Sequence, residues 1–195
     1  MRVVDIVEGP IVPLWRSDVD TDQIMPKQFL KRITRTGFDD AVFYDWRQDP
    51  DFVLNDARYA GAQILVSGPN FGSGSSREHA PWGLRDYGFG AIIAPSFGDI
   101  FRGNCANIGL LLIELPEDVC RAIASAAEDR PGLSGRVSLA ERTVDVDGAT
   151  HGFPFDDRDR ARLLAGLDAI GVTLERLAQI ETFEGTRPSW RPRTA

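Results

Sequence analysis

An α/β fold is what this 195-residue sequence predicts, and two observations carry the prediction. The first is order. Short apolar runs at 62–66, 91–94 and 109–115 alternate with helix-length segments at 75–87 and 96–106. Strand, helix, strand, helix, strand in that sequence favours parallel strands joined by helical crossovers. The second is composition: apolar residues make up 43% and charged residues 26% of the chain, enough for a real core and no sign of wholesale disorder. No internal repeat or low-complexity tract is present. The length favours one domain with a short appendage, placed at residues 1–185 with a basic tail at 186–195.

The elements follow in order. Residues 3–14 are apolar and β-branched with Gly9-Pro10 in the middle, which reads as a strand pair or a bent strand. A polar loop, Ser17-Asp18-Val19-Asp20-Thr21-Asp22, comes next. Residues 23–33 read as a short helix interrupted by Pro26, and 34–55 carry no clear period. The strand at 62–66 precedes a helix at 75–87 closed by Gly88. The strand at 91–94 is followed by a helix opened by Ser96. Pro116 ends the strand at 109–115, and 117–128 is a helix. Residues 137–139 and 143–146 are short strands, and Asp147-Gly148 is a tight turn into Ala149-Thr150-His151. Amphipathic helices are expected at 156–167 and 173–180, and the tail with Pro188 and Pro192 reads as extended.

Charge and targeting exclude several function classes. The net charge is -7, which argues against nucleic acid or an anionic membrane as main partner. Arg187, Arg191 and Arg193 sit in the last ten residues without an acid, so the tail is either a docking arm or a frayed end. No apolar run is long enough to span a membrane, and the start turns acidic at Asp5, unlike a secretory signal. Cytoplasmic residence is the default expectation. Cys105 and Cys120 form neither a disulfide framework nor a CxxC pair and read as small buried hydrophobes. With only His79 and His151, a histidine-rich metal site is excluded, and His79 reads as a structural hydrogen-bonder.

The chemistry concentrates in Asn70-Phe71-Gly72-Ser73-Gly74-Ser75-Ser76-Arg77-Glu78-His79-Ala80, which follows a strand and opens a helix. Gly72 and Gly74 permit backbone conformations closed to other residues and let a ligand approach the main chain. Unpaired N–H groups at a helix start make an anion site. Arg77 adds a guanidinium whose fork matches a carboxylate. Ser75 with Glu78 also fits a plain capping box. A Walker-type loop, a dinucleotide fingerprint and a nucleophile elbow all fail here: no lysine precedes the serines, Ser75 and Glu78 stand where glycines should be, and neither serine is flanked as GxSxG.

This loop, together with Asp20-Thr21-Asp22-Gln23-Ile24-Met25-Pro26 and Ser96-Phe97-Gly98-Asp99-Ile100-Phe101-Arg102-Gly103-Asn104, resembles the swivelling domain of the aconitase superfamily. Within it, Phe29-Leu30-Lys31-Arg32-Ile33-Thr34-Arg35-Thr36-Gly37-Phe38 and the end Phe183-Glu184-Gly185…Trp190-Arg191-Pro192-Arg193 look like the family of 3-isopropylmalate dehydratase small subunits. The likeness covers nearly the whole chain. It implies a swivelling β/β/α domain, single, with extra C-terminal helices. It implies a hydro-lyase that moves a hydroxyl to the neighbouring carbon by dehydration and rehydration, acting on isopropylmalate in leucine biosynthesis. A related acid of homoaconitate, citraconate or methylcitrate type is the alternative, and a non-catalytic anion-binding module is a rival of another class.

The resemblance also implies roles. Ser75 would be the base, Ser76 would hydrogen-bond substrate and Arg77 would bind a carboxylate. Asp20, Thr21 and Asp22 would lie by the active face, although the same residues fit an Asx-rich turn and helix cap. Phe29 and Leu30 would meet the substrate's variable group. Lys31 or Arg32 would pair with a carboxylate, with Arg32 favoured for its geometry; a solvated basic turn is the alternative. The family uses a [4Fe-4S] cluster, which needs three thiolates when one iron stays open to substrate. Two cysteines cannot supply them, so the cluster is expected on a large-subunit partner and no metal on this chain.

Overall fold

The computed structural model describes residues 3–188 and 190–191. Seven strands form one sheet in the order β4-β3-β2-β1-β5-β6-β7. The first four, β1 (Ile6–Leu14), β2 (Ile64–Ser67), β3 (Ala91–Ala94) and β4 (Leu111–Glu114), are parallel. The last three, β5 (Ser134–Ser138), β6 (Thr143–Val146) and β7 (Ala149–Gly152), extend the sheet antiparallel from the other side of β1. The parallel core is therefore as the order of segments predicts, within a mixed sheet.

The bend expected in the first segment has a cause. It is one strand that changes partners at Gly9-Pro10. Ile6 to Pro10 pair with β5, while Ile11 to Leu14 pair with β2. Pro13 lies beyond the last β5 pairing, where a residue without an N–H leaves no ladder partner on that side unserved.

Successive residues of the parallel strands point to opposite faces, and both faces are buried. Val12, Leu65, Ile92 and Leu112 enter one core, and Ile11, Ile64, Ile93 and Ile113 the other. Helices α2 (His79–Tyr87) and α3 (Asp99–Ile108) cover the first face with Leu84, Phe101 and Cys105. Helix α4 (Glu117–Asp129) covers the second with Cys120, Ile123 and Ala127. Residues 34–62 carry no strand; their turns and short 3-10 segments bring Phe38, Phe43, Phe52 and Tyr59 into the first core. In consequence the links that leave the carboxyl ends of β1, β2 and β3 all emerge along one sheet edge, the usual place for a ligand crevice in such folds.

Several expectations need correction. The helix expected from Ser75 begins at His79, with Glu78 at its N-cap and no side-chain cap bond. The helix expected from Ser96 begins at Asp99 after Gly98, because main-chain groups of 96 and 98 are paired elsewhere. The single helix expected at 173–180 is two, α6 (Ala169–Leu174) and α7 (Leu177–Thr186), after α5 (Asp157–Leu164). Helix α7 reaches into the tail expected to be extended from 186; Arg193 lies outside the described residues.

Neither α6 nor α7 contains a buried residue. Isolated helices this short are marginal in water, so they add little to the body's stability. Deleting residues 169–195 is expected to move the thermal midpoint by no more than about 3 °C, read by circular dichroism; a much larger drop would show that the segment supports the core.

Candidate functional site

Residues 69–78 form a loop gripped from both sides by main chain. On one side, the N–H groups of Gly72 and Ser73 both donate to the Val19 carbonyl, at 2.7 and 3.2 Å, and Thr21 N–H donates to Ser73 O at 2.9 Å. Asp18 N–H donates to Pro69 O at 2.9 Å, and Asn70 Nδ2 donates to Asp18 Oδ1 at 2.7 Å. On the other side, Phe71 N–H donates to Ser96 O and Gly98 N–H donates to Phe71 O, at 3.1 and 3.0 Å. Ser96 Oγ accepts from Asn70 N–H at 2.9 Å. The three motifs singled out in the sequence are thus three adjacent loops stitched together.

The glycine at 72 is dictated twice. Its φ is 74°, and a Cβ there would stand 2.3 Å from the Phe101 ring. Gly74 is dictated by conformation alone, with φ 92° and room around it. Asn70 and Asp18 also adopt positive φ, 60° and 55°, as their residue types tolerate best.

Beyond Gly74 the chain lies on the surface. Ser75 and Ser76 are exposed and Arg77 is partly buried. The capping box expected between Ser75 and Glu78 does not form, since both precede the helix and Arg77 N–H donates to Ser75 O at 2.9 Å. The box forms at the neighbouring loop instead. Asp20 Oδ1 accepts from Gln23 N–H at 2.7 Å and Gln23 Oε1 accepts from Asp20 N–H at 2.9 Å, opening the short helix α1 (Thr21–Ile24). The Asx-turn and helix-cap reading of Asp20-Thr21-Asp22 is therefore the one the hydrogen bonds show. The cap also delivers Thr21 and Asp22 to the serine loop: Thr21 Oγ1 donates to Ser75 O at 2.9 Å, and Asp22 makes an ion pair with Arg77 Nη1. The same Nη1 lies 3.5 Å from Met25 O. Nε and Nη2 of Arg77 donate no hydrogen bond among the described residues, which leaves one edge of the fork open to a carboxylate.

The residues of the 29–32 segment divide. Phe29 and Leu30 sit half-buried against the first core, and Phe29 meets the Tyr44 ring edge-on at 5.0 Å. Lys31 is exposed. Arg32 is engaged at home: it donates to both Asp40 oxygens at 2.7 and 2.8 Å and to Gly37 O at 2.7 Å, which closes the loop 32–40. Those hydrogen bonds hold the Asp40 carboxyl below its usual range. Asp40 gave no signal in the sequence, because nothing in residues 34–55 marked a partner. His79 lies between the Phe38 and Trp82 rings at 5.4 and 4.9 Å. His151 sits on β7 opposite Val144.

The donor set does not fit an iron–sulfur cluster. Both cysteines are buried, Cys105 against α3's core face and Cys120 on α4. Burial pushes the Cys105 thiol well above its ordinary value and the Cys120 thiol up to about 11. Among the described residues no group of three or more His, Cys, Asp or Glu could hold a metal ion. Among the described residues no helix is long and apolar enough to cross a membrane.

The serine loop also lacks a wall of its own. A shallow depression of about 390 Å³ beside it is lined by Asn70, Ser73, Gly74, Phe97 and Ile100. A cavity of about 300 Å³ lined by Arg102, Leu110, Leu112, Glu114 and Phe155 includes no residue of the loop. What the loop presents is an open surface: a hydroxyl pair, one guanidinium edge and bare main chain.

Comparison with known proteins follows the same outline. The aconitase C-terminal domain family matches residues 1–118. A 3-isopropylmalate dehydratase small subunit of Clavibacter michiganensis subsp. michiganensis is 54% identical over all of this chain and 95% of its own length. One from a Parafrankia species is 52% identical over the whole of both chains. The crystal structure of a 3-isopropylmalate dehydratase from Methanocaldococcus jannaschii superposes with a TM-score of 0.67 at 25% identity, over 91% of this chain and 99% of that one.

Two outcomes are expected. Gly72→Ala should destabilise the chain by roughly 2–4 kcal/mol, from left-handed strain plus collision with Phe101; an unchanged unfolding midpoint would contradict the close approach. Near pH 8 the raised, buried thiols stay protonated, so a thiol reagent should label the native chain slowly and both cysteines at once on unfolding. Fast native labelling would contradict their burial.

Proposed function

Because the chain belongs to the aconitase C-terminal domain family and, within it, to the small subunits of 3-isopropylmalate dehydratase, we propose that its serine loop supplies the proton-transfer half of that hydro-lyase's active site. The enzyme interconverts 2-isopropylmalate and 3-isopropylmalate in leucine biosynthesis. The observation that supports the reading is that Ser75, Ser76 and Arg77 stand side by side on a loop bonded to both its neighbours, with Asp22 pairing with only one guanidinium nitrogen of Arg77. The large subunit would complete the site and hold the [4Fe-4S] cluster, whose three thiolates this two-cysteine chain cannot supply, and the cluster would supply the Lewis acid for hydroxyl loss.

In dehydration, Ser75 enters as the alkoxide and takes the carbon-bound proton; the electron pair left on that carbon forms the double bond as the neighbouring C–O bond breaks and its pair leaves with the oxygen as hydroxide. In rehydration hydroxide adds to the carbon that lost the proton and the Ser75 hydroxyl gives its proton to the carbon that lost the hydroxyl, so the serine ends as the alkoxide it began as. An alkoxide is a strong demand on a side chain that is protonated near neutral pH, and it requires donors fixed in advance. The exposed backbone around Gly74 and the Arg77 cation are the groups placed to meet it. Ser76 hydrogen-bonds substrate, and Arg77 takes one of its carboxylates while Asp22 holds the other side of the guanidinium in place. Asp20 anchors Thr21 and Asp22 through its cap.

Phe29 and Leu30 offer the apolar surface for the isopropyl group. Lys31 is the exposed cation beside them, whereas Arg32 reaches a substrate carboxylate only by leaving Asp40. One methylene in an apolar pocket is worth only about 1–3 kcal/mol, so discrimination among malate homologues needs walls from the partner as well. The body at 1–185 is the swivelling domain, and the arginine-bearing segment from 186 is its basic tail.

With the large subunit present, Ser75→Ala is expected to lose at least a thousandfold in kcat while the two chains still assemble by gel filtration. Arg77→Lys, which keeps charge but not the fork, should raise KM by at least tenfold. Near-normal turnover by Ser75→Ala would remove it from the base role.

A further inference from the structure

The inference concerns Thr21 and rests on Ser75 being the base. Thr21 is one of the few polar residues the chain buries, at 1% exposure. Its hydroxyl is held by β-branching, by the Asp20 cap one residue earlier and by its own N–H on Ser73 O. Thr21 Oγ1 lies 2.9 Å from Ser75 O and 3.4 Å from Ser75 Oγ. It therefore faces both the main chain and the reactive oxygen of the same serine.

A threonine hydroxyl has one proton to give and lone pairs to accept with. While Ser75 is protonated, the Thr21 proton lies on the Ser75 carbonyl, and its lone pairs can receive the Ser75 proton. Once Ser75 is an alkoxide, that oxygen becomes the stronger acceptor. A turn about the Thr21 Cβ–Oγ1 bond then moves the proton from the carbonyl to the charged oxygen, without moving a heavy atom. The carbonyl belongs to an exposed residue and can take water in exchange.

We propose that Thr21 is a positioning residue for Ser75: it orients the serine hydroxyl at rest and donates to the same oxygen when that oxygen carries charge. The proton stays on Thr21 throughout, so no atom is gained or lost. The role differs from that of Arg77, which supplies positive charge and takes a substrate carboxylate, and from that of Asp20, which caps helix α1.

The test uses the assembled two-chain enzyme with isopropylmalate, comparing Thr21→Val, Thr21→Ser and Ser75→Ala across a pH series. Thr21→Val keeps the shape and removes the hydroxyl. Its kcat should fall at least tenfold with KM within about twofold, in line with loss of one donor to a developing charge. The rising limb of its kcat–pH profile should move to higher pH, because the charged form of Ser75 loses a donor. Thr21→Ser restores the donor and should keep kcat within about threefold of the original. If Thr21→Val fails to assemble, Thr21→Ala, which removes the same hydroxyl, takes its place in the comparison. An unshifted profile with unchanged kcat in the hydroxyl-free variant, or Thr21→Ser as damaged as Thr21→Val, overturns the role of Thr21. An active Ser75→Ala sinks the base assignment instead, and that result is read independently of Thr21.

Discussion

Everything functional in this chain depends on one constraint: a glycine-containing loop is pinned by main-chain hydrogen bonds to a neighbour on each side. Val19 O accepts two N–H groups from it, and Phe71 exchanges two bonds with 96–98. Such bonds use no side chains, so the loop's chemistry-bearing residues are left free. The close stitching requires that one residue have no side chain where the Phe101 ring arrives, and Gly72 is that residue. A loop built this way can hold Ser75 at a set position while leaving it open to solvent.

That openness is a physical reason for a two-chain enzyme. The proposed charged base works best where water is excluded, yet Ser75 is exposed among the described residues. The chain's cysteines are buried in the two cores, where burial raises both thiols. The chain is thus a rigid half that becomes competent when a second surface closes over it. The resident ion pair between Asp22 and Arg77 suits such a half-site: it keeps the guanidinium oriented before substrate arrives and leaves part of the fork unused.

Much of this was legible in the sequence. The alternation of β-branched runs and helical segments predicted the parallel strands, because buried strands of four residues between helices leave little choice. The serine loop and its two companion motifs were legible as motifs. Their mutual stitching was not, since backbone bonds leave no residue signature. The helix starts at 75 and 96 were misread. Serine near a helix start suggests a cap, but Ser96 is paired through its main chain to Phe71 and the Ser75 carbonyl is taken by Arg77 N–H within its own loop, and the helices begin three to four residues later. Arg32 shows a different limit. Its fork geometry suggested a substrate ligand, while Asp40, eight residues on, already fills that fork.

The most direct measurement is a crystal structure of this chain assembled with its large subunit and a bound isopropylmalate analogue. Ser75 Oγ is expected within about 3.5 Å of the carbon that exchanges its proton, with Arg77 on a carboxylate of the same molecule. An analogue bound with Ser75 and Arg77 both turned away from it would contradict the assignment of this loop as the proton-transferring half of the site.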